Sequence, residues 1–99
     1  MEIELSPLFR KNFRQRANRR IEKLFEERLR VFRKNPHDPA LRNHVPAYDR
    51  EGQRSFSLTS DEGPDDFRVI FRRIGRRKYL LVDFGRHDQL YRPWRRKAK

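Results

Sequence analysis

The start of the chain combines two different spacings of apolar side chains. The first five residues, MEIEL, alternate apolar and acidic positions, and a period of two is typical of a β-strand. Ser6 and Pro7 follow, and this pair indicates a helix start, because serine caps the first turn and proline fits the first helical position. A single apolar stripe at helical spacing then predicts the first helix: Phe9, Phe13 and Ala17.

A second helix is predicted between Asn18 and Asn35. The Asn18 side chain can cap its beginning, and Pro36 should end it, because proline disfavours helical backbone in the residue before it. The two helices should form a hairpin, and their apolar residues are interpreted as core rather than as a cofactor site. In the second helix these residues cover one broad face: Ile21, Leu24, Phe25, Leu29, Val31 and Phe32.

Three strand patterns follow a loop-like, proline-containing segment at residues 35–53. RSFSLTS and FRVIFRRI alternate apolar and polar positions, and YLLVDFG is almost continuously apolar, which predicts a central strand. The short spacers between them predict an antiparallel meander. We therefore expect an α+β fold with an N-terminal helical hairpin packed on one face of a small twisted antiparallel β-sheet. Residues 1–91 should form one domain, and residues 92–99 a basic tail that contacts nucleic acid or is disordered.

The charge of the chain points to a polyanionic partner. It has 26 Lys and Arg against 14 Asp and Glu, a net charge of +12. The distribution is uneven: residues 1–35 carry +6, residues 36–66 carry −4 and residues 67–99 carry +10. Arginine exceeds lysine, and its planar fork of donors matches phosphate oxygens, which favours nucleic acid. Arginine-rich genome composition is an alternative source of this bias.

Composition excludes several classes of protein. There is no cysteine, so disulfides and cysteine zinc sites are excluded. The N-terminus does not resemble a signal peptide, and no run approaches the ~20 apolar residues of a membrane span. We expect a soluble cytoplasmic protein with no membrane partner. Eight Phe, three Tyr and one Trp are too many apolar anchors for a disordered basic tail.

The residues after the last strand are candidates for chemistry on RNA. Cleavage through the 2′-hydroxyl needs a base, a cation on the phosphate and an acid for the leaving oxygen. His87 can transfer protons near neutral pH, and Arg68 on the neighbouring strand can bind two phosphate oxygens. This route needs no metal or cofactor. The acidic turn at 61–66 could bind a cation but is interpreted as a hairpin loop, and a solvated loop histidine remains the alternative for His87.

The order of the motifs resembles the RelE/ParE superfamily of bacterial toxins, and most closely its YafQ-like branch. The resemblance covers residues 3–91. Its most specific part is the ending YLLVDFGRHDQLY, an apolar strand followed by glycine, any residue, His-Asp, two residues and an aromatic. SPLFRKNFRQ, LRNH and RVIF support it.

The resemblance implies a two-helix, antiparallel-sheet fold and an endoribonuclease that cleaves mRNA, usually on the ribosome, with a cognate antitoxin as inhibitor. It places His87 on the catalytic histidine, His44 on the upstream histidine and Tyr91 on the terminal aromatic. It places Asp66 on the acidic residue before the strand and Arg68 on the strand arginine that contacts the phosphate. The chain departs from the branch at residues 57–59, where it has no histidine.

Two other functions remain open from the sequence. ParE-like members act on a protein, DNA gyrase, but they lack the His-Asp pair and the aromatic. A non-catalytic RNA-binding or ribosome-associated protein would also be basic. In the RNA-cleaving interpretation, docking onto mRNA and ribosomal RNA is assigned to basic side chains on and after the strands: Arg54, Arg72, Arg76, Arg77, Lys78 and Arg86.

Overall fold

The computed structural model describes residues 1–43, 52–59 and 66–90. His44, Tyr91 and the basic tail at 92–99 lie outside the described residues, so the predictions made for them are untested. A single helical turn at residues 87–90 follows the last strand. The elements before it are β1 (Glu2–Leu5), α1 (Pro7–Arg16), α2 (Arg19–Lys34), a 3₁₀ turn (Pro39–Leu41), β2 (Arg54–Ser57), β3 (Phe67–Gly75) and β4 (Lys78–Arg86).

The predicted helix boundaries are confirmed. The Ser6 hydroxyl accepts a hydrogen bond from the Phe9 amide at 3.0 Å, with Pro7 in the first turn of α1. The Asn18 side chain accepts one from the Ile21 amide at 2.9 Å and begins α2. Asn35 takes an extended conformation after Lys34, as its position before proline requires.

The sheet has the order β1-β4-β3-β2. β2, β3 and β4 form the antiparallel meander that the sequence predicts. β1 pairs with β4 in parallel, with Glu2–Leu5 opposite Lys78–Leu81, so the sheet is mixed rather than wholly antiparallel. The α+β class is confirmed, and the parallel pairing is an addition, because a strand pattern carries no information on the direction of its partner.

The two helices cover one face of the sheet through an aromatic core, as predicted. Phe9 of α1 lies 6.0 Å from Phe84 of β4, and Phe32 of α2 lies 4.9 Å from Phe71 of β3, both edge-to-face. Such contacts between rings add to the free energy of apolar burial. Ile70 and Leu90 form a second, smaller buried cluster, so the last helical turn is anchored on the sheet.

α1 lies along the part of β4 that β1 does not reach. β1 pairs with β4 only as far as Leu81, which leaves the remaining residues of that edge without a strand partner on this side. Backbone groups at a buried edge need hydrogen bonds, and α1 and its cap supply three donors to backbone carbonyls here and a fourth to the Asp83 side chain. They are Ser6 N to Leu81 O (3.0 Å), Ser6 Oγ to Val82 O (2.7 Å), Asn12 Nδ2 to Asp83 Oδ1 (2.6 Å) and Arg16 Nη1 to Phe84 O (2.9 Å).

Candidate active site

His87 begins the helical turn that directly follows β4. Its backbone amide donates a hydrogen bond to the Asp66 carbonyl at 2.8 Å, which fixes the chain beside the start of β3. The Arg86 amide is fixed in turn by the Gln89 side chain at 2.8 Å. His87 itself is half-buried. The backbone at this position is therefore held while the residue keeps access to solvent, which is the setting predicted for it.

Arg68 and Asp66 form a buried ion pair beside this turn. Arg68 Nη1 lies 2.8 Å from Asp66 Oδ2, and the two side chains are only 4% and 5% exposed. Burying two charges is costly unless their remaining hydrogen-bonding groups are also satisfied. Here they are: Arg68 Nε donates to Ser55 Oγ at 2.9 Å, and Asp66 Oδ1 accepts from Ser57 Oγ at 2.7 Å and from Thr59 Oγ1 at 2.5 Å.

This burial bears on the phosphate contact predicted for Arg68. Its guanidinium group faces the Asp66 carboxylate and Ser55, and a phosphate could reach it only if those contacts opened. The predicted contact of Arg68 with RNA, like the predicted catalytic role of Asp66, stays a prediction. The contacts of the two side chains favour a role in holding the surrounding backbone.

Ser57 at the end of β2 and Thr59 just after it lie in the segment 57–59, where the sequence resemblance implied a histidine. Ser57 and Thr59 both donate to the same Asp66 oxygen, and Thr59 Oγ1 also accepts from the Phe67 amide at 3.2 Å. Sequence reasoning missed these residues and Ser55 as parts of the site. The signal was present in RSFSLT, whose hydroxyl side chains alternate with apolar ones and whose strand pairs with β3, which starts directly after Asp66 and carries Arg68.

The same network reaches the segment that leads to His44. Arg68 Nη2 donates to the Arg42 carbonyl at 2.9 Å, and Arg42 has a left-handed backbone with φ of 49°. Asn43 accepts from Arg54 Nε at 2.6 Å and donates to the Pro36 carbonyl at 2.8 Å. Arg54, which is predicted to bind RNA, is thus half-buried and hydrogen-bonded to Asn43. The two residues before His44 are therefore held by Arg54 of β2 and by Arg68 of β3.

The predicted RNA-binding hairpin lies at the opposite end of β4. Arg72, Arg76 and Arg77 are exposed, and Lys78 lies 3.7 Å from the carboxylates of both Glu2 and Glu4. A strand rises about 3.4 Å per residue, so Lys78 and Arg86 are separated by about 27 Å along β4. The structure therefore does not bring these hairpin side chains to His87, and a phosphate at the histidine would be out of their reach.

Besides Arg68, two further arginines lie at the end of β4 that His87 follows. Arg86 Nε lies 3.7 Å from Asp88 Oδ1, with neither atom in a hydrogen bond. Arg16 reaches across from the end of α1 to the Phe84 carbonyl. Sequence reasoning missed Arg16, because its proximity to the site depends on how α1 lies against the sheet.

Glycine at position 85 allows this approach. A Cβ atom there would stand 2.5 Å from Arg16 Nη1, which is too short for a real contact, and 3.1 Å from Gln89 Oε1, which is a tight one. Within the described ranges, no three His, Asp or Glu side chains are grouped as metal ligands. No helix in this part of the chain is both long and apolar enough to cross a membrane.

Comparison with known proteins gives structural matches but no sequence matches. No family model and no curated protein matches the chain. YafQ from Escherichia coli has a TM-score of 0.69 at 17% identity over 91% of this chain and 97% of its own. The YoeB/ParE toxin from Agrobacterium tumefaciens has 0.69 at 16%, over 88% and 99%.

A structure of the Escherichia coli DinJ-YafQ complex also matches, with a TM-score of 0.61 at 17% identity over 91% of this chain and 97% of the matched one. The chain therefore shares the fold of YafQ and of the YoeB/ParE toxin, as the resemblance in sequence implied. At these identities the likeness establishes the fold, and function has to be argued from the site.

Proposed function

We propose that this protein is the toxin of a type II toxin–antitoxin system and that it cleaves mRNA, on the ribosome, without a metal ion. The observation that carries the proposal is His87, half-buried at the end of β4 with its backbone fixed by Asp66. The toxin fold of YafQ and of the YoeB/ParE protein supports it. The net charge of +12 fits a substrate and a docking partner made of RNA.

The proposed chemistry uses the substrate's own 2′-hydroxyl as nucleophile. That oxygen loses its proton to a base and attacks the adjacent phosphorus, while the bond to the 5′-oxygen breaks and an acid protonates the leaving oxygen. His87 performs one of the two proton transfers, since an imidazole can either accept or donate a proton. His44 is the candidate for the other, and Tyr91 either stacks on a base, donates its hydroxyl or packs against the rim of the sheet.

The Arg68–Asp66 pair holds both ends of this arrangement. Asp66 accepts the amide of His87 through its carbonyl, and Arg68 holds the carbonyl of Arg42, two residues before His44. One buried ion pair thereby links the backbone near the two candidate proton-transfer groups. Fixing groups in position before the substrate binds lowers the entropic part of the barrier.

The proposed inhibitor is a cognate antitoxin with an acidic segment. An acidic helix or extended strand would be attracted to a +12 toxin, and this attraction raises the rate of association more than it slows dissociation. The solved DinJ-YafQ complex supports a protein partner for this fold. Ribosomal RNA is the proposed docking partner of the exposed arginines in the β3–β4 hairpin.

The experiment compares the parent protein with His87→Ala. Both are expressed under a tight promoter, growth is followed, and the 5′ ends of cellular mRNA are mapped. We expect the variant to remain folded, since His87 lies outside the apolar run of β4, and to cleave about 10²–10⁴-fold more slowly. Far-ultraviolet circular dichroism and thermal melting check that the variant is folded.

Two results would contradict the proposal in different ways. Undiminished cleavage by folded His87→Ala would remove the histidine from the chemistry. Growth arrest by the parent without new mRNA ends, together with loss of DNA supercoiling, would favour the ParE-like alternative that acts on gyrase.

A further inference from the structure

We infer that Arg16, at the end of α1, contacts the phosphate of the RNA that is cleaved at His87. This inference rests on the proposed function, because it names the cation for that reaction. It comes from the way α1 covers the free edge of β4, a placement that no pattern in the sequence predicts.

The position of Arg16 is fixed by three successive contacts along one edge. Ser6 binds the β4 backbone at Val82, Asn12 binds Asp83, and Arg16 binds the Phe84 carbonyl at 2.9 Å. α1 therefore runs towards the end of β4, and its last residue contacts the strand two residues before the strand ends. Each contact confirms the direction of the helix, so the location of Arg16 does not depend on one flexible side chain.

Gly85 places the guanidinium directly over the strand backbone. The position of a Cβ atom on this glycine would be 2.5 Å from Arg16 Nη1, so any other residue would displace the arginine. His87 is two residues further on, about 7 Å along an extended chain. A phosphodiester group bound beside His87 is within reach of a guanidinium at Gly85.

The other arginines are less suited to this contact. Arg68 is 4% exposed and engaged with Asp66. The hairpin arginines lie at the far end of β4, and Arg86 lies 3.7 Å from Asp88. Arg16 is half-buried, and the Phe84 carbonyl takes one of the five N–H donors that a guanidinium offers.

The chemistry of Arg16 suits the cleavage step. Its charge would balance the charge that builds up on the non-bridging oxygens as the 2′-oxygen attacks. The bond to Phe84 orients the group before RNA arrives, so little reorganisation is needed on binding.

The test compares Arg16→Gln and Arg16→Lys with Arg14→Gln. Arg14 lies in the same last turn of α1, is exposed, and loses the same charge when changed to Gln. Two quantities are measured on protein shown to be folded. One is the single-turnover rate of mRNA cleavage in a reconstituted translation reaction. The other is the salt dependence of binding to a single-stranded RNA that is 2′-O-methylated throughout and so cannot be cleaved.

For Arg16→Gln we expect cleavage to fall about 100-fold. The slope of log K against log salt should fall by about 0.7, the value for one phosphate contact on a single strand. Arg16→Lys should keep the slope but recover only part of the rate, since the fork is lost. Arg14→Gln should resemble the parent in both measurements.

The inference is overturned if Arg16→Gln is less stable than the parent but cleaves and binds like it, because Arg16 would then only hold the β4 edge. It is also overturned if Arg14→Gln lowers the slope as much, because both arginines would then belong to a diffuse basic surface. If the parent does not cleave mRNA, the proposed function fails, and the Arg16 contact is decided by the binding slopes of the three variants.

Discussion

At the residue scale, the buried ion pair of Arg68 and Asp66 holds together the strands and the backbone that form the candidate site. Each side chain is exposed by 5% or less, and each hydrogen-bonds to hydroxyl groups from β2. Breaking a buried pair by removing one partner is strongly destabilising, because the remaining charge is left uncompensated. We therefore interpret the pair as a support for the backbone near His87. A substitution that weakens the pair should lower both the free energy of unfolding and the rate of cleavage.

Arg68→Lys separates this interpretation from a direct phosphate contact. Lysine keeps the charge opposite Asp66 but loses the fork that also binds Ser55 and the Arg42 carbonyl. Losing these two hydrogen bonds, one buried and one partly buried, should lower the free energy of unfolding by about 2–3 kcal/mol. Urea denaturation measures this loss, and cleavage should fall with it. Arg72→Lys, on the same strand but exposed, is the control and should change neither.

A different outcome would support the phosphate contact that the sequence resemblance implied for Arg68. If Arg68→Lys keeps the free energy of unfolding of the parent and still loses cleavage, the arginine acts on the phosphate, as the sequence resemblance implied. The residue was identifiable from its place in the FRVIF strand. Its burial was not, because that depends on Ser55 of β2 and on the Arg42 carbonyl, which lie 13 and 26 positions away along the chain.

At the element scale, local features were predictable and the pairing of distant elements was not. Ser6 and Asn18 were recognisable as caps because a cap is defined by a few neighbouring residues. The parallel pairing of β1 with β4 and the covering of the β4 edge by α1 join residues more than sixty positions apart. Arg16 was therefore missed, while His87 was found from the strand that precedes it.

The β3–β4 hairpin offers a test of local backbone strain. Arg77 has a φ of 56°, in the left-handed region that disfavours residues with a Cβ atom, whereas Arg76 does not. Arg77→Gly should raise the free energy of unfolding by about 1 kcal/mol by removing that penalty. Arg76→Gly removes the same charge without this relief and should be neutral or destabilising. Thermal melting of both variants distinguishes them, and an equal shift in the two would show that charge, not backbone conformation, controls the hairpin.

At the scale of the whole molecule, the two ends of β4 have different surroundings. One end carries His87, Arg16 and the buried ion pair, and the other carries the exposed hairpin arginines about 20–27 Å away, at ~3.4 Å per residue. A toxin that acts on RNA held by a large partner needs separate surfaces for docking and for chemistry. Phosphate contacts supply affinity without reading sequence, which suits the hairpin.

The last prediction tests this division by changing Arg72 and Arg76 together to Gln. Both side chains are exposed, so folding should be preserved. Loss of two phosphate contacts should lower the salt slope of ribosome binding by about 1.8 if the RNA there is double-stranded. The positions of cleavage on mRNA should stay the same, since His87 and its surroundings are unchanged. Co-sedimentation with ribosomes over a salt series and mapping of cleavage ends measure the two effects.

The matched control is a double change of Arg30 and Arg33 to Gln on the exposed face of α2, which removes the same charge. If the control lowers ribosome binding as much as the hairpin variant, affinity comes from net charge rather than from a docking surface. If the hairpin variant moves the cleavage positions while binding is unchanged, the hairpin contacts the substrate itself. In that case the RNA must extend along β4 from one end to the other, and the two surfaces would act on a single strand rather than on two partners.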